Sequence, residues 1–103
     1  APGCPYRRTM VTLLIEHEIT DLATWTAAFE RFADARRHAG VRSHRIAHPL
    51  DDPTRIVVEL DFDGAERAAE FRDFLRDVVW ADPSSSPALV GRPVTRLLES
   101  VPI

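Results

Sequence analysis

Residues 40–62, GVRSHRIAHPLDDPTRIVVELDF, read as two strands joined by a tight turn. In Asp51-Asp52-Pro53-Thr54 the proline presets φ for a turn position, and the Asp side chains can bond nearby backbone amides. After the turn, Ile56, Val58, Leu60 and Phe62 alternate with residues that include the charged Glu59 and Asp61. Period two with β-branched residues predicts a strand with one buried face. Before the turn, Val41 to His48 alternates less cleanly: Arg42, His44, Ile46 and His48 share one side. Its polar content predicts an edge strand, or a strand that lines a site.

Outward from the hairpin, each flank reads as a strand and a helix. Val11 to His17 is a first strand, with Val11, Leu13, Ile15 and His17 on one side. Thr20 or Asp21 offers an N-cap for a helix over Leu22 to His38. Its apolar face is Leu22, Trp25, Ala28, Phe29, Phe32 and Ala33, with Arg36 on or beside it, and Gly40 ends it. Asp63 or Gly64 caps a second helix, Ala65 to Trp80, whose stripe is Ala68, Phe71, Leu75 and Val78, broadened by Phe74 and Val79. Ala81 to Pro87 reads as a flexible connector or a lid, and Gly91-Arg92-Pro93 leads into a last strand, Val94 to Val101.

The order is βαββαβ, the ferredoxin-like α+β arrangement: a four-stranded antiparallel sheet with two helices on one face. Residues 10–103 form a single domain, and residues 1–9, which hold Cys4, read as a disordered tail or an appended remnant. The bare sheet face, carrying Leu14, Val57 and Leu97, predicts a homodimer that closes sheet against sheet as an α/β barrel.

The composition excludes several functions. A net charge of −3 with dispersed basic residues lacks the electrostatic footprint of a nucleic-acid binder. No long apolar run or signal peptide is present, and a single cysteine allows no internal disulfide, so no membrane role and a cytoplasmic location are expected. All 13 basic residues are arginine, and the chain has no Lys, Asn or Gln. It therefore has no Schiff-base lysine and no side-chain amide for an oxyanion hole. Neither GxGxxG, GxxxxGK[ST] nor GxSxG occurs, and the histidines lack metal-ligand spacing; no metal and no cofactor is called for.

The candidate site lies between sheet and helices. His17 ends an apolar strand face and reads equally as a cap and as a proton-transfer group. His44 shares the side of Ile46 and is the inward polar group of the hairpin. Arg36 either pairs or snorkels, or stabilises a developing anion. Trp25, Phe29 and Trp80 are core residues or a platform for a hydrophobic substrate. Arg96 shares the side of Val94 and Leu98, taken as facing the helices. The candidates are thus His44, His17 and Arg36 for catalysis, and Trp25, Phe29, Trp80 and Arg96 for substrate binding. His48 reads as surface, and Glu59 as an ion-pair partner on the sheet's bare face.

Glu16-His17, Thr20-Asp21-Leu22-Ala23-Thr24-Trp25, Arg37-His38-Ala39-Gly40-Val41, Asp51-Asp52-Pro53, Val57 to Phe62 and Gly91-Arg92-Pro93 together resemble the dimeric α/β-barrel superfamily. Within it the chain looks most like small actinobacterial proteins labelled cyclase or antibiotic biosynthesis monooxygenase-like. The resemblance implies a homodimer with a cavity in each subunit for a hydrophobic small molecule, often an aromatic polyketide. It implies cyclisation, isomerisation or cofactor-free oxidation by dioxygen, or a non-catalytic ligand-binding module. His17 and Trp25 match candidate positions of the family. The haem-degrading members' Asn and second-helix His have no counterpart here, and the lack of Asn also departs from the cofactor-free monooxygenases.

Overall fold

A computed structural model describes residues 10–101 of the chain. The readings of residues 1–9 and Cys4 lie outside the described residues. In chain order the elements are β1 (Val11–Ile19), α1 (Leu22–Arg31), α2 (Ala33–Ala39), β2 (Ser43–Ala47), β3 (Arg55–Phe62), α3 (Ala65–Phe74), a π-helical turn (Leu75–Val79) and β4 (Leu89–Glu99). The sheet runs β2-β3-β1-β4, and all its pairings are antiparallel. This is the ferredoxin-like architecture that the order of elements predicts.

The hairpin's second strand builds the core. Leu13 lies opposite Leu60, and Ile15 opposite Val58. Leu13, Leu60, Ile56 and Phe62 are the largest fully buried side chains, and Ala68 and Phe71 of α3 pack on them. The turn is held by Asp52, whose Oδ1 accepts from the Thr54 amide at 3.0 Å and from its hydroxyl at 2.5 Å. Asp21 is the N-cap of α1, accepting from the Thr24 amide at 2.8 Å. α3 begins after Gly64 as its N-cap.

Gly40 ends α2 in the left-handed region at φ 96°. A side chain there is strained, so Gly40→Ala should destabilise the fold by roughly 1–2 kcal/mol. The urea midpoint should fall with an unchanged slope.

Three local departures from periodicity matter for the site. The single helix expected over Leu22 to His38 is broken at Phe32, with φ −99° and ψ 16°. The Phe32 amide bonds the Phe29 carbonyl at 3.2 Å, an i→i+3 closure that tightens the turn. The helix expected to run to Trp80 passes into a π turn, where the Trp80 amide bonds the Leu75 carbonyl at 2.7 Å. The extra residue rotates the stripe, so Val79 is buried and Val78, expected inside, is exposed.

The third departure is in β4, which begins at Leu89 rather than Val94. Between the pairs Glu16–Val94 and Glu18–Val90, three residues of β4 (Gly91, Arg92 and Pro93) stand opposite the single His17. Gly91 takes φ 71° in this bulge.

Candidate functional site

Between sheet and helices lies a partly open cavity of about 80 Å³. The sheet contributes Ile15, His17, Val58 and Leu60 to its walls; α1, α2 and their junction contribute Trp25, Phe29, Phe32 and Arg36. Trp80, at the end of the π turn, and Ser85 and Ser86, from the loop before β4, close it. Five of the seven predicted site residues (His17, Arg36, Trp25, Phe29 and Trp80) thus line one cavity.

Helical spacing accounts for one wall. Trp25, Phe29, Phe32 and Arg36 are separated by steps of four, three and four residues, and so lie on one face. Trp25 stacks on Phe29 with ring centroids 5.0 Å apart, and the His17 ring lies 6.1 Å from Trp25. The Arg36 guanidinium carbon sits 3.6 Å from the Phe29 ring centroid, a cation–π contact. Arg36 Nη1 also donates to the Phe29 carbonyl at 2.5 Å, satisfying an acceptor in the last turn of α1.

His17 is 5% exposed, and its Nδ1 lies 3.2 Å from the Glu18 carbonyl oxygen. A carbonyl only accepts, so Nδ1 carries the proton and Nε2 is the basic nitrogen. Nε2 makes no hydrogen bond within the described residues, yet no buried side-chain nitrogen is left sealed without a partner. It therefore reaches open space. Burial lowers the pKa of His17; the Glu18 carbonyl opposes this and the positive charge of Arg55 adds to it. The ring is thus a neutral base at neutral pH.

Arg36 is 8% exposed, and no carboxylate of the described residues forms an ion pair with it. Burial lowers its pKa, opposed by the charge of Glu30. Buried charges are normally paired. A buried guanidinium with one carbonyl bond and a face on a cavity is a ready site for an anionic group.

Two expected site residues lie elsewhere. His44 stands opposite Leu60 and so faces the helices, but it is exposed. Its ring is 5.5 Å from Phe29, at the sheet edge, and it does not line the cavity. β2 is the edge strand of the sheet, and all of its residues are exposed. Arg96 is opposite Leu14, and so lies on the bare face with Val94 and Leu98; Leu97, opposite Leu13, faces the helices. The parity of β4 is the inverse of that expected because apolar residues lie on both its faces, and Val90, Val94, Leu97 and Leu98 are all exposed.

The loop over 81–88 is organised by Asp82 rather than left without local structure. Asp82 Oδ1 accepts from the Ser84 amide at 3.0 Å, and Oδ2 accepts from the Ser85 hydroxyl at 3.1 Å. The Ser86 hydroxyl donates to the Val79 carbonyl at 3.1 Å, tying the loop to the π turn. Ser85 and Ser86 had no sequence signal beyond loop composition. His48 is exposed, as expected, and Glu59 pairs with Arg45 of its own sheet at 3.0 Å. Among the described residues, no three His, Cys, Asp or Glu side chains converge as metal ligands, and no helix is long and apolar enough to cross a membrane.

No family model and no curated protein matches the chain by sequence. Solved structures match it by fold. A candidate antibiotic biosynthesis monooxygenase from Nitrosomonas europaea superposes with TM-score 0.69 at 12% identity, over 93% of this chain and 94% of that one. A single-residue variant of SnoaB, a cofactor-independent oxygenase from Streptomyces nogalater, gives TM-score 0.68 at 14% identity, over 91% and 95%. A dimeric ferredoxin-like protein from an uncultured marine organism gives TM-score 0.67 at 11% identity, over 92% and 98%. At such identities the likeness establishes the fold, and the chemistry rests on the cavity's own residues.

Proposed function

We propose that this protein is a cofactor-independent enzyme that deprotonates a hydrophobic, polyketide-like aromatic substrate. The observation that carries the reading is one apolar cavity holding both a neutral, buried imidazole and a buried guanidinium without a carboxylate. Trp25 and Phe29 hold the ring system. His17 Nε2 removes a proton from an acidic C–H or O–H, and Arg36 stabilises the enolate or phenolate that forms. If His17 returns the proton at another atom, the reaction is an isomerisation or cyclisation. If the carbanion meets dioxygen, an activated CH₂ becomes a carbonyl and water leaves, and dioxygen is the only oxidant required.

The cavity of about 80 Å³ is smaller than the roughly 150 Å³ that holds benzene. An aromatic substrate therefore either extends through the cavity's open side or displaces a wall. Trp80 and the loop carrying Ser85 and Ser86 are the walls outside the sheet core.

The test is hydrogen–deuterium exchange at the acidic position of anthrone and related phenols, followed by NMR without and with oxygen. Exchange above the buffer rate supports the enzyme. Binding without exchange makes the protein a ligand-binding module, the second reading that an apolar cavity allows.

The proposed enzyme is a homodimer. Leu14 and Val57 are half-buried on the bare sheet face, and Val94, at 54% exposed, and Leu98, at 41%, lie beside them. Most polar residues around them are internally matched: Arg55 Nε meets Glu16 at 2.8 Å, and Thr12 and Ser43 donate to Asp61 at 2.6 and 2.7 Å, whereas Arg96, opposite Leu14, has no ion pair among the described residues. An apolar centre with a largely satisfied polar surround suits a two-fold interface. Leu14→Asp should weaken dimerisation at least tenfold, read by light scattering across a dilution series; a wild-type monomer throughout would remove the barrel.

A further inference from the structure

Beside the cavity lies a second, larger groove of about 580 Å³, and unlike the cavity it is lined by several charged side chains. Arg72 and Arg76 line it from α3 and the π turn, and Arg92 from the β4 bulge. Trp80 and Leu89 line both spaces, so they form a shared wall. The groove's lining residues include no acid.

The charges of the groove fit a monoanion. Arg72 meets Asp73 at 3.2 Å, and Arg76 meets Asp73 at 3.3 Å and Asp77 at 2.9 Å. Arg92 has no ion pair among the described residues. Three guanidinium groups against two carboxylates leave one positive charge in excess, carried by the unpaired Arg92. Its position follows from the bulge: the three residues opposite His17, with Gly91 at φ 71°, place Arg92 on the groove next to the cavity. Bulges commonly re-aim a side chain beside an active site.

We infer that the groove binds the carboxylate of an amphipathic substrate whose aromatic part enters the cavity past Trp80. The guanidinium fork matches a carboxylate in plane, and one excess charge suits a monoanion better than a phosphate dianion. The ligand thus straddles the shared wall, with its acid on Arg92 and its rings against Trp25 and Phe29. This rests on the reading of the cavity as a site for an aromatic substrate.

The test is calorimetric titration of the full chain with 2-naphthoate and with its uncharged isostere 2-naphthamide at pH 7.5 and low salt. Wild type should bind the naphthoate about threefold to tenfold more tightly, the range expected for a half-exposed charge contact. Arg92→Gln should abolish that preference while leaving naphthamide binding unchanged, and Arg92→Lys should restore part of it. Arg96→Gln, on the opposite sheet face, should leave the preference intact. The preference should shrink in 0.5 M salt, a solution whose screening length is a few ångströms.

Equal binding of both probes by wild type would overturn the groove and leave the cavity standing. Binding of neither would overturn both. Loss of the preference in Arg96→Gln as well as Arg92→Gln would also overturn the groove, because the effect would then be the net charge of the molecule.

Discussion

His17→Gln should lower turnover of the best aromatic substrate by 10²- to 10⁴-fold, the usual contribution of a positioned general base. Glutamine is close to histidine in size and can donate to the Glu18 carbonyl that Nδ1 now meets at 3.2 Å. It has no basic nitrogen at the place of Nε2. KM should change little, because Trp25 and Phe29 still hold the rings. A small rise in KM with kcat nearly unchanged would instead assign His17 to packing against Trp25.

The pH profile gives a second, independent readout. Burial holds the His17 pKa below the ordinary imidazole value of about 6.5. The base is therefore active down to pH values where a free histidine is half protonated. In wild type, kcat/KM should stay level through pH 6.5 and fall only below it; in His17→Gln this acid limb should vanish. The same shift acts on stability. The unfolded chain takes up the proton near pH 6.5 and the folded chain at a lower pH, so stability falls as pH drops through that interval. The charges around His17 are Arg55, which deepens the shift and is itself paired with Glu16 at 2.8 Å, Glu18 beside it in β1, Arg92 in the bulge opposite, and Arg36 across the cavity. A limb centred above pH 6.5 would contradict the burial argument.

How far the sequence reveals this molecule depends on whether a simple period survives in each element. In β1 and β3 it does: Leu13, Ile15, Val58 and Leu60 alternate strictly, and all four are buried. Trp25, Phe29 and Arg36 were legible for the same reason, since helical steps place them on one face and the kink at Phe32 does not move Arg36 off it. Where an element inserts a residue, periodicity fails. The π turn carries Val78 out to solvent while Val79 stays buried, and it aims Trp80; nothing in LRDVVW marks it, for it contains neither Gly nor Pro. In β4 the bulge at Gly91–Pro93 carries a visible Gly and Pro, but these signalled a boundary rather than an irregularity within a strand.

His44 shows a different limit. Its face was read correctly, since it stands opposite Leu60, yet sharing a face does not ensure cover. The order β2-β3-β1-β4 makes β2 an edge, and every residue of β2 is exposed. Strand order is a tertiary property. It decides whether an inward side chain meets a cavity, as His17 does on the central β1, or the rim, as His44 does.

Arg36→Met should separate activity from stability. The substitution removes one hydrogen bond to the Phe29 carbonyl and one cation–π contact, together worth about 1–3 kcal/mol. It also removes the desolvation of an unpaired buried charge, several kcal/mol in the opposite direction. Methionine retains much of the apolar stem and fills irregular space well. The urea midpoint should therefore equal or exceed that of wild type. Turnover should fall by 10² to 10³, the usual loss when a group that stabilises a developing oxyanion is removed. A guanidinium kept for structure predicts the reverse: a large loss of stability, with any residual folded protein fully active. Arg36→Lys distinguishes charge from shape. A lysine restores the positive charge but not the planar fork over Phe29, so partial recovery of turnover would show that the substrate anion needs a cation there, and no recovery that it needs the guanidinium geometry.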